Sequence, residues 1–303
     1  MNLKDNAIVR LTERAKRPSG WVLAWSAAIV IIIVGGIIGS LVGSAVLGND
    51  KTSPLHQYTE LFIFGFTLLA LFVWVRLKEG RPLSTVGLCG KGGARKFLLG
   101  LAIGAVMMTV PVVFMLLTGI FEIGGSAHRR SGVSALFPIL PLLAVFAIQG
   151  TTEEAVVRGY MLQMGARQLP GWVAILGSSL LFAVIHVTFD PIILLVLFLY
   201  AVFACVVALQ QGSLWLISGI HVGWNFFQGN VFGLPVSGHP RATALLSIGP
   251  AEGSALILSG GDFGVEASLP GLVVLVVALV VAWWGIRNRP AADAWPADRG
   301  PQP

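Results

Sequence analysis

Three short stretches of this sequence carry polar side chains through surroundings that are almost wholly apolar. They are Thr152-Glu153-Glu154-Ala155-Val156-Val157-Arg158, Phe182-Ala183-Val184-Ile185-His186 and His221-Val222-Gly223-Trp224-Asn225. If each lies on a helix, Glu154 and Arg158 are i,i+4 in the favourable order for an ion pair on one face. Glu153 points about 100° away and is left without that partner. A carboxylate so placed can serve as general base to a water. His221 and Asn225 are also i,i+4, and both side chains can donate to a developing oxyanion. His186 could orient the water or bind a metal. Glu153, His186 and His221 together would suit zinc with one open position, although ligands from three helices form no spacing signature.

These residues must be positioned by membrane helices. The chain has 303 residues, 55% hydrophobic and 11% charged, with a mean hydropathy of +0.83. A soluble domain carries roughly 25% charged residues. Most of this chain therefore has lipid for solvent, and little is left for a large domain in water. Apolar runs of spanning character cover Trp21–Gly48, Tyr58–Val75, Phe97–Ile120, Ser134–Gly150 with a polar continuation to about Gln168, Trp172–Val187, Pro191–Leu209, Leu214–Phe232 and Gly271–Ile286. A span needs about 20 apolar residues, so the expected fold is all-α and polytopic, about eight transmembrane helices in one bundle. Trp21–Gly48 exceeds the apolar core of a signal peptide, about 7–15 residues, and reads as a retained span. The domain reading is a basic cytosolic segment over 1–20, a helical bundle over 21–289, and a disordered Pro/Ala/Asp-rich tail over 290–303.

The fourth helix, from Ser134 to Gln168, would be about 50 Å long. It is expected to tilt, to emerge from the bilayer, or to bend near Gly150–Thr152. Counted from the helix ends expected on the cytosolic side at 1.5 Å per residue, Glu153 lies about 18 Å in, His186 about 21 Å and His221 about 12 Å. Three helices of alternating direction thus bring polar groups to similar depth.

Lys and Arg fix the expected orientation. The N-terminal segment, the Arg76–Lys96 loop, Arg167 and Arg287/Arg289 fall on one side of eight spans, which the positive-inside rule makes cytosolic. Both termini are then cytosolic, and the Gly233–Pro270 loop is outside. His128-Arg129-Arg130 is a blemish on that rule. The net charge of +6 reports topology and not a nucleic-acid partner. The composition points to a bacterial plasma membrane. Cys89 and Cys205 give no disulfide framework. His56, His128 and His239 lie in loops and receive no role.

Each motif has an ordinary reading on its own. Intramembrane Glu–Arg pairs can be purely structural, and a lone transmembrane His or Asn commonly bonds a neighbouring helix. Taken in order and with internal spacing intact, the three resemble the CPBP family: the CAAX proteases, including the Rce1-type prenyl-protein endopeptidases, and the bacteriocin-processing enzymes. The resemblance covers about Ala135 to Phe232. It implies an eight-helix bundle with a cavity open toward the cytosol and lateral access from lipid. It implies endopeptidase action on membrane-associated peptides or proteins. By position, Glu153 resembles the water-activating base, His186 the residue that holds the water, His221 and Asn225 the oxyanion donors, and Glu154 and Arg158 the supporting pair. Family members are described both as metalloproteases and as metal-independent glutamic peptidases, and zinc is the cofactor in question. Two other readings compete: a non-catalytic scaffold or chaperone, and a proton-coupled transporter in which buried Glu and His form a relay. The intact motifs speak against the first. The absence of a visible repeat speaks weakly against the second.

Overall fold

The structure is a computed structural model and describes residues 2–50, 53–124 and 130–287. Its long helices are α1 (Trp21–Leu47), α2 (Thr59–Trp74), α3 (Gly93–Leu117), α4 (Leu136–Val156), α5 (Gly171–Val184), α6 (Pro191–Gln211), α7 (Trp215–Phe226) and α8 (Leu269–Arg287). Five helical stretches, Trp21–Leu47, His56–Glu79, Gly93–Leu117, Gly132–Gln168 and Pro191–Gln211, are long and apolar enough to cross a membrane, and α5 and α8 are shorter apolar helices. This is the all-α polytopic bundle expected. Only one small antiparallel pair, β1 (Phe121–Ile123) with β2 (Ile248–Pro250), interrupts it among the described residues.

The helices alternate in direction, so the bundle has two distinct ends. At one end lie the N-terminal segment, the α2–α3 loop and the α4–α5 turn. Arg17 donates to Leu77 O, Asn6 to Leu209 O and Trp215 to Cys89 O. The N-terminal segment is not a free tail here. A short helix, Ala7–Arg10, buries Ile8 and Val9 against the bundle. At the other end lie the α1–α2 connection, the β pair and the segment from Gly233 to Ser268. Arg241 reaches Glu60 at 2.6 Å there, and Gln57 and Asn230 exchange hydrogen bonds. The described residues thus have a basic end and a loop end. The residues 125–129 and 288–303, which include His128, Arg129 and the C-terminal tail, lie outside the described set.

Glycine sets the two closest helix crossings. Gly100 and Gly104 of α3 face Gly219 and Gly223 of α7, and a Cβ at any of the four would fall under 3.0 Å from backbone of the other helix. Gly39 of α1 packs equally tightly on Ile63 of α2. In lipid, where apolar side chains gain little by leaving their solvent, such small-residue seams let backbones approach and drive association by packing. The α3–α7 seam is what holds the helix bearing His221 and Asn225. Helix α6 begins with the expected cap: Asp190 Oδ1 accepts from the backbone N–H of Ile192 and Ile193 at 2.8 and 3.1 Å, with Pro191 in the first turn.

The fourth helix is not broken at Gly150–Thr152. It runs unbroken through α4 into a π-helical turn, Val157–Met161, and on through Leu162–Gln168. A π turn inserts an extra residue and leaves backbone groups unpaired. Trp25 of α1 answers one of them, its indole N–H donating to Met161 O at 2.9 Å.

Candidate active site

The two glutamates are adjacent on α4, shortly before the π turn, and lie about 100° apart, so they meet different surroundings. Glu154 is fully buried, as is Arg158, and the two pair at 3.3 Å. One oxygen of Glu154 collects three donors: Arg158 Nη1 at 3.3 Å, the Tyr200 hydroxyl at 3.3 Å and His221 Nδ1 at 2.9 Å. The Arg158 guanidinium lies 4.5 Å from the centre of the Phe182 ring and 5.6 Å from that of Tyr200. It is a cation between aromatic faces. Glu153 has a different setting. Its side chain is 19% exposed and its Oε2 is 3.8 Å from His221 Nε2.

Both histidines have their Nδ1 committed. Nδ1 of His186 lies 2.8 Å from Phe182 O. A carbonyl only accepts, so Nδ1 carries the proton and neutral His186 presents Nε2 as an acceptor. His221 Nδ1 faces a carboxylate and must likewise donate. Its Nε2 is therefore an acceptor in the neutral ring and a donor in the imidazolium. Asn225 is buried, with no hydrogen bond to its side-chain amide among the described residues.

Glu153, His186, His221 and Asn225 line one cavity of about 30 Å³. A water requires on the order of 10–15 Å³ by such a measure, and several polar partners. The motifs read from sequence therefore do converge, from α4, the end of α5, and α7. Glu154 and Arg158 lie behind the wall. His186 is just past α5, and the next residue, Val187, has φ +52°. A β-branched side chain is costly in that left-handed region, and this strained step is what turns the chain away immediately after His186.

Sequence reading missed three residues here. Tyr200 of α6 lies inside an apolar run with no polar motif around it, yet its hydroxyl ties α6 to Glu154. Glu266 and Ser237, from the Gly233–Ser268 segment, line the same cavity. Glu266 Oε1 accepts from Ser237 N–H at 2.5 Å and from Ser237 Oγ at 3.1 Å, and Ser237 is held at φ +47°. Burial pushes the Glu266 carboxyl above its ordinary value, against the pull of the two Ser237 bonds. Neither residue belongs to a periodic pattern, so only a carboxylate in an outer loop was there to be noticed.

Two wider spaces meet at Glu153 and His186. One, of about 220 Å³, is an apolar cleft between α1, α2 and the end of α5, with Ile32, Gly36, Phe64 and Ile185 in its walls. The other, of about 800 Å³, runs to the loop end, past Gln149 to Gln57, Ser53 and the 236–242 segment. The resemblance implied a cavity opening toward the cytosol, the side assigned to the basic end. The wide cavity opens at the opposite, loop end.

A metal would need three ligands. The Nδ1 bonds of His186 and His221 are of the kind that orient metal-bound imidazoles. Yet among the described residues no three His, Cys, Asp or Glu side chains are grouped so as to hold an ion. The Glu153, His186, His221 set does not fit zinc in this arrangement. Neither Cys89 nor Cys205 is in a disulfide.

Fold and site together define a polytopic helical membrane protein with a buried carboxylate–imidazole–amide cavity. A family model described as Rce1-like, type II CAAX prenyl endopeptidase Rce1-like, matches residues 135–227. That stretch runs from the start of α4 through α7 and holds every site residue named from the sequence, so the likeness read from the three motifs is borne out. The matched family is one of peptidases, and residues 135–227 of this chain are similar to it. No curated protein and no solved structure matches the chain.

Proposed function

We propose that this protein is an intramembrane endopeptidase that hydrolyses membrane-associated peptides or proteins with a glutamate-activated water. The observation that carries this reading is the water-sized cavity walled by Glu153, His186, His221 and Asn225. A water there has two acceptors, the Glu153 carboxylate and His186 Nε2. Glu153 takes a proton as the water oxygen attacks the scissile carbonyl carbon, a transfer that needs hydrogen-bond reach. The carbonyl oxygen becomes an oxyanion. The Asn225 amide donates to it, as does Nε2–H of His221 in its imidazolium form. Such preorganised donors stabilise charge that exists only in the transition state. The intermediate then collapses, the C–N bond breaks, and the Glu153 carboxylic acid returns its proton to the leaving amine. Glu154 and Arg158 touch no reacting atom. They fix the His221 ring through Nδ1, which leaves Nε2 for the cavity.

The protein in detergent, incubated with a peptide library and followed by mapping of new termini, tests this. Paired new carboxyl and amino termini from internal bonds are expected. Intact peptides, or trimming from one end only, would contradict the endopeptidase reading.

A further inference from the structure

The wide cavity and the basic residues lie at opposite ends of the bundle. Its outer walls are Ser44, Ser53, Gln57 and Glu60 from the first connection, with Gly238 to Ala242 from the segment after α7. All belong to the loop end. Most of the described Lys and Arg residues outside the bundle gather at the other end, at Arg10, Arg14, Lys16, Arg17, Arg76, Lys78, Lys91, Arg95 and Lys96, while Arg130 and Arg241 lie at the loop end. Arg241 at the loop end is ion-paired with Glu60 at 2.6 Å. Positive charge flanking short loops is retained in the cytosol, so the cavity opens on the far side of the membrane.

The walls also say what the cavity takes. At about 800 Å³ it lies within the roughly 300–1,000 Å³ of ligand pockets. Hydroxyl and amide groups along it offer both donors and acceptors, which an extended polypeptide backbone requires and an isoprenoid chain does not. The apolar cleft of about 220 Å³ beside α1 and α2 joins it at Glu153 and His186, where an apolar anchor can reach the site from lipid.

We infer that the site is supplied from the extracytoplasmic face, through this vestibule, and that its substrate is a polypeptide segment outside the membrane with an apolar anchor in the bilayer. The inference rests on the peptidase reading for the word substrate, but the face on which the vestibule opens is independent of it. On this account a prenylated C-terminus in the cytosol does not reach Glu153.

The test uses the full chain in a Cys89→Ser background, with single cysteines at His239 on the vestibule wall, Gln149 deeper in it, and Lys91 at the basic end. In intact cells an impermeant maleimide should label His239→Cys, and a small impermeant methanethiosulfonate should label Gln149→Cys. Lys91→Cys should react only after permeabilisation. If Gln149→Cys proves unstable, Ser53→Cys takes its place. The reverse pattern, Lys91→Cys open and the vestibule protected, would overturn the inference. In right-side-out vesicles a bulky maleimide on His239→Cys should cut turnover of externally added anchored peptide at least tenfold, and a methyl adduct should leave it. Undiminished turnover with the bulky adduct would overturn the route. Absence of any turnover in detergent would count against the peptidase reading and leave the labelling result standing.

Discussion

Replacing Glu154 by Gln removes charge from the most buried point of the site. Glu154 and Arg158 have no exposed surface, and one carboxylate oxygen answers the guanidinium, the Tyr200 hydroxyl and the His221 ring. The amide of Gln keeps a neutral acceptor but sets an NH₂ against a guanidinium whose Nε and Nη2 have no hydrogen-bond partner already. Breaking a buried ion pair from one side costs about 3–5 kcal/mol, because the survivor is left charged and unmatched. At roughly 2–4 °C per kcal/mol for chains of 150–250 residues, the melting temperature in detergent should fall by about 6–20 °C. Removing both charges, as in Glu154→Gln/Arg158→Met, should recover part of that loss, since no uncompensated ion remains. The assay is thermal unfolding of purified Glu154→Gln, Arg158→Met and the double variant beside the wild type. If either single variant melts within about 1 °C of the wild type, or the double variant is the least stable, Glu154 is not the hub described.

Further outcomes follow from other parts of the structure. Gly223→Leu should separate α3 from α7, since even a Cβ there meets Leu101 O. Yield and activity should both drop, with a stability loss of about 1–3 kcal/mol for overpacking, whereas Gly36→Leu, where a Cβ meets nothing within 4 Å, should fold normally. Glu266 should make stability pH-dependent. Its folded value is raised by burial, so its contribution is complete below the unfolded value and is lost as pH rises through the folded one. Glu266→Gln should therefore flatten the decline of melting temperature as pH rises above the ordinary carboxylate range, and an unchanged decline would exclude Glu266 as its source. Turnover should survive a strong chelator, because the described His, Cys, Asp and Glu side chains form no three-ligand group. Loss on chelation with recovery on added zinc would reverse that.

The fold was legible because the chain is strongly apolar and five of its helical stretches are long enough to cross a membrane. The Asp190–Pro191 pair capped α6 as its residue types require, and the first run ends one residue from its expected bound, at Leu47. The three motifs were legible because a charge in lipid must have a use or a partner. What escaped notice had no local signature. The π turn at Val157–Met161 is a choice of hydrogen-bond register that Trp25, far away in sequence, helps to satisfy. Glu266 and Ser237 reach the cavity by the path of a loop. The i,i+4 spacing of His221 and Asn225 points to a shared oxyanion role but carries no sign that the two His221 nitrogens face the two glutamates. The α3–α7 seam did leave a signal, glycines four apart on both helices, which a search for small-residue spacing would have found.

The central claim is that Glu153 takes the proton from water. Glu153→Gln keeps the shape of the side chain and removes the base. Because Glu153 is partly exposed and its contact with His221 Nε2 is long, at 3.8 Å, the loss of stability should stay within about 1 kcal/mol. Turnover of a peptide selected from the library should fall at least 100-fold, the lower range for general base catalysis. A folded Glu153→Gln protein that cleaves that peptide at the wild-type rate would contradict the account.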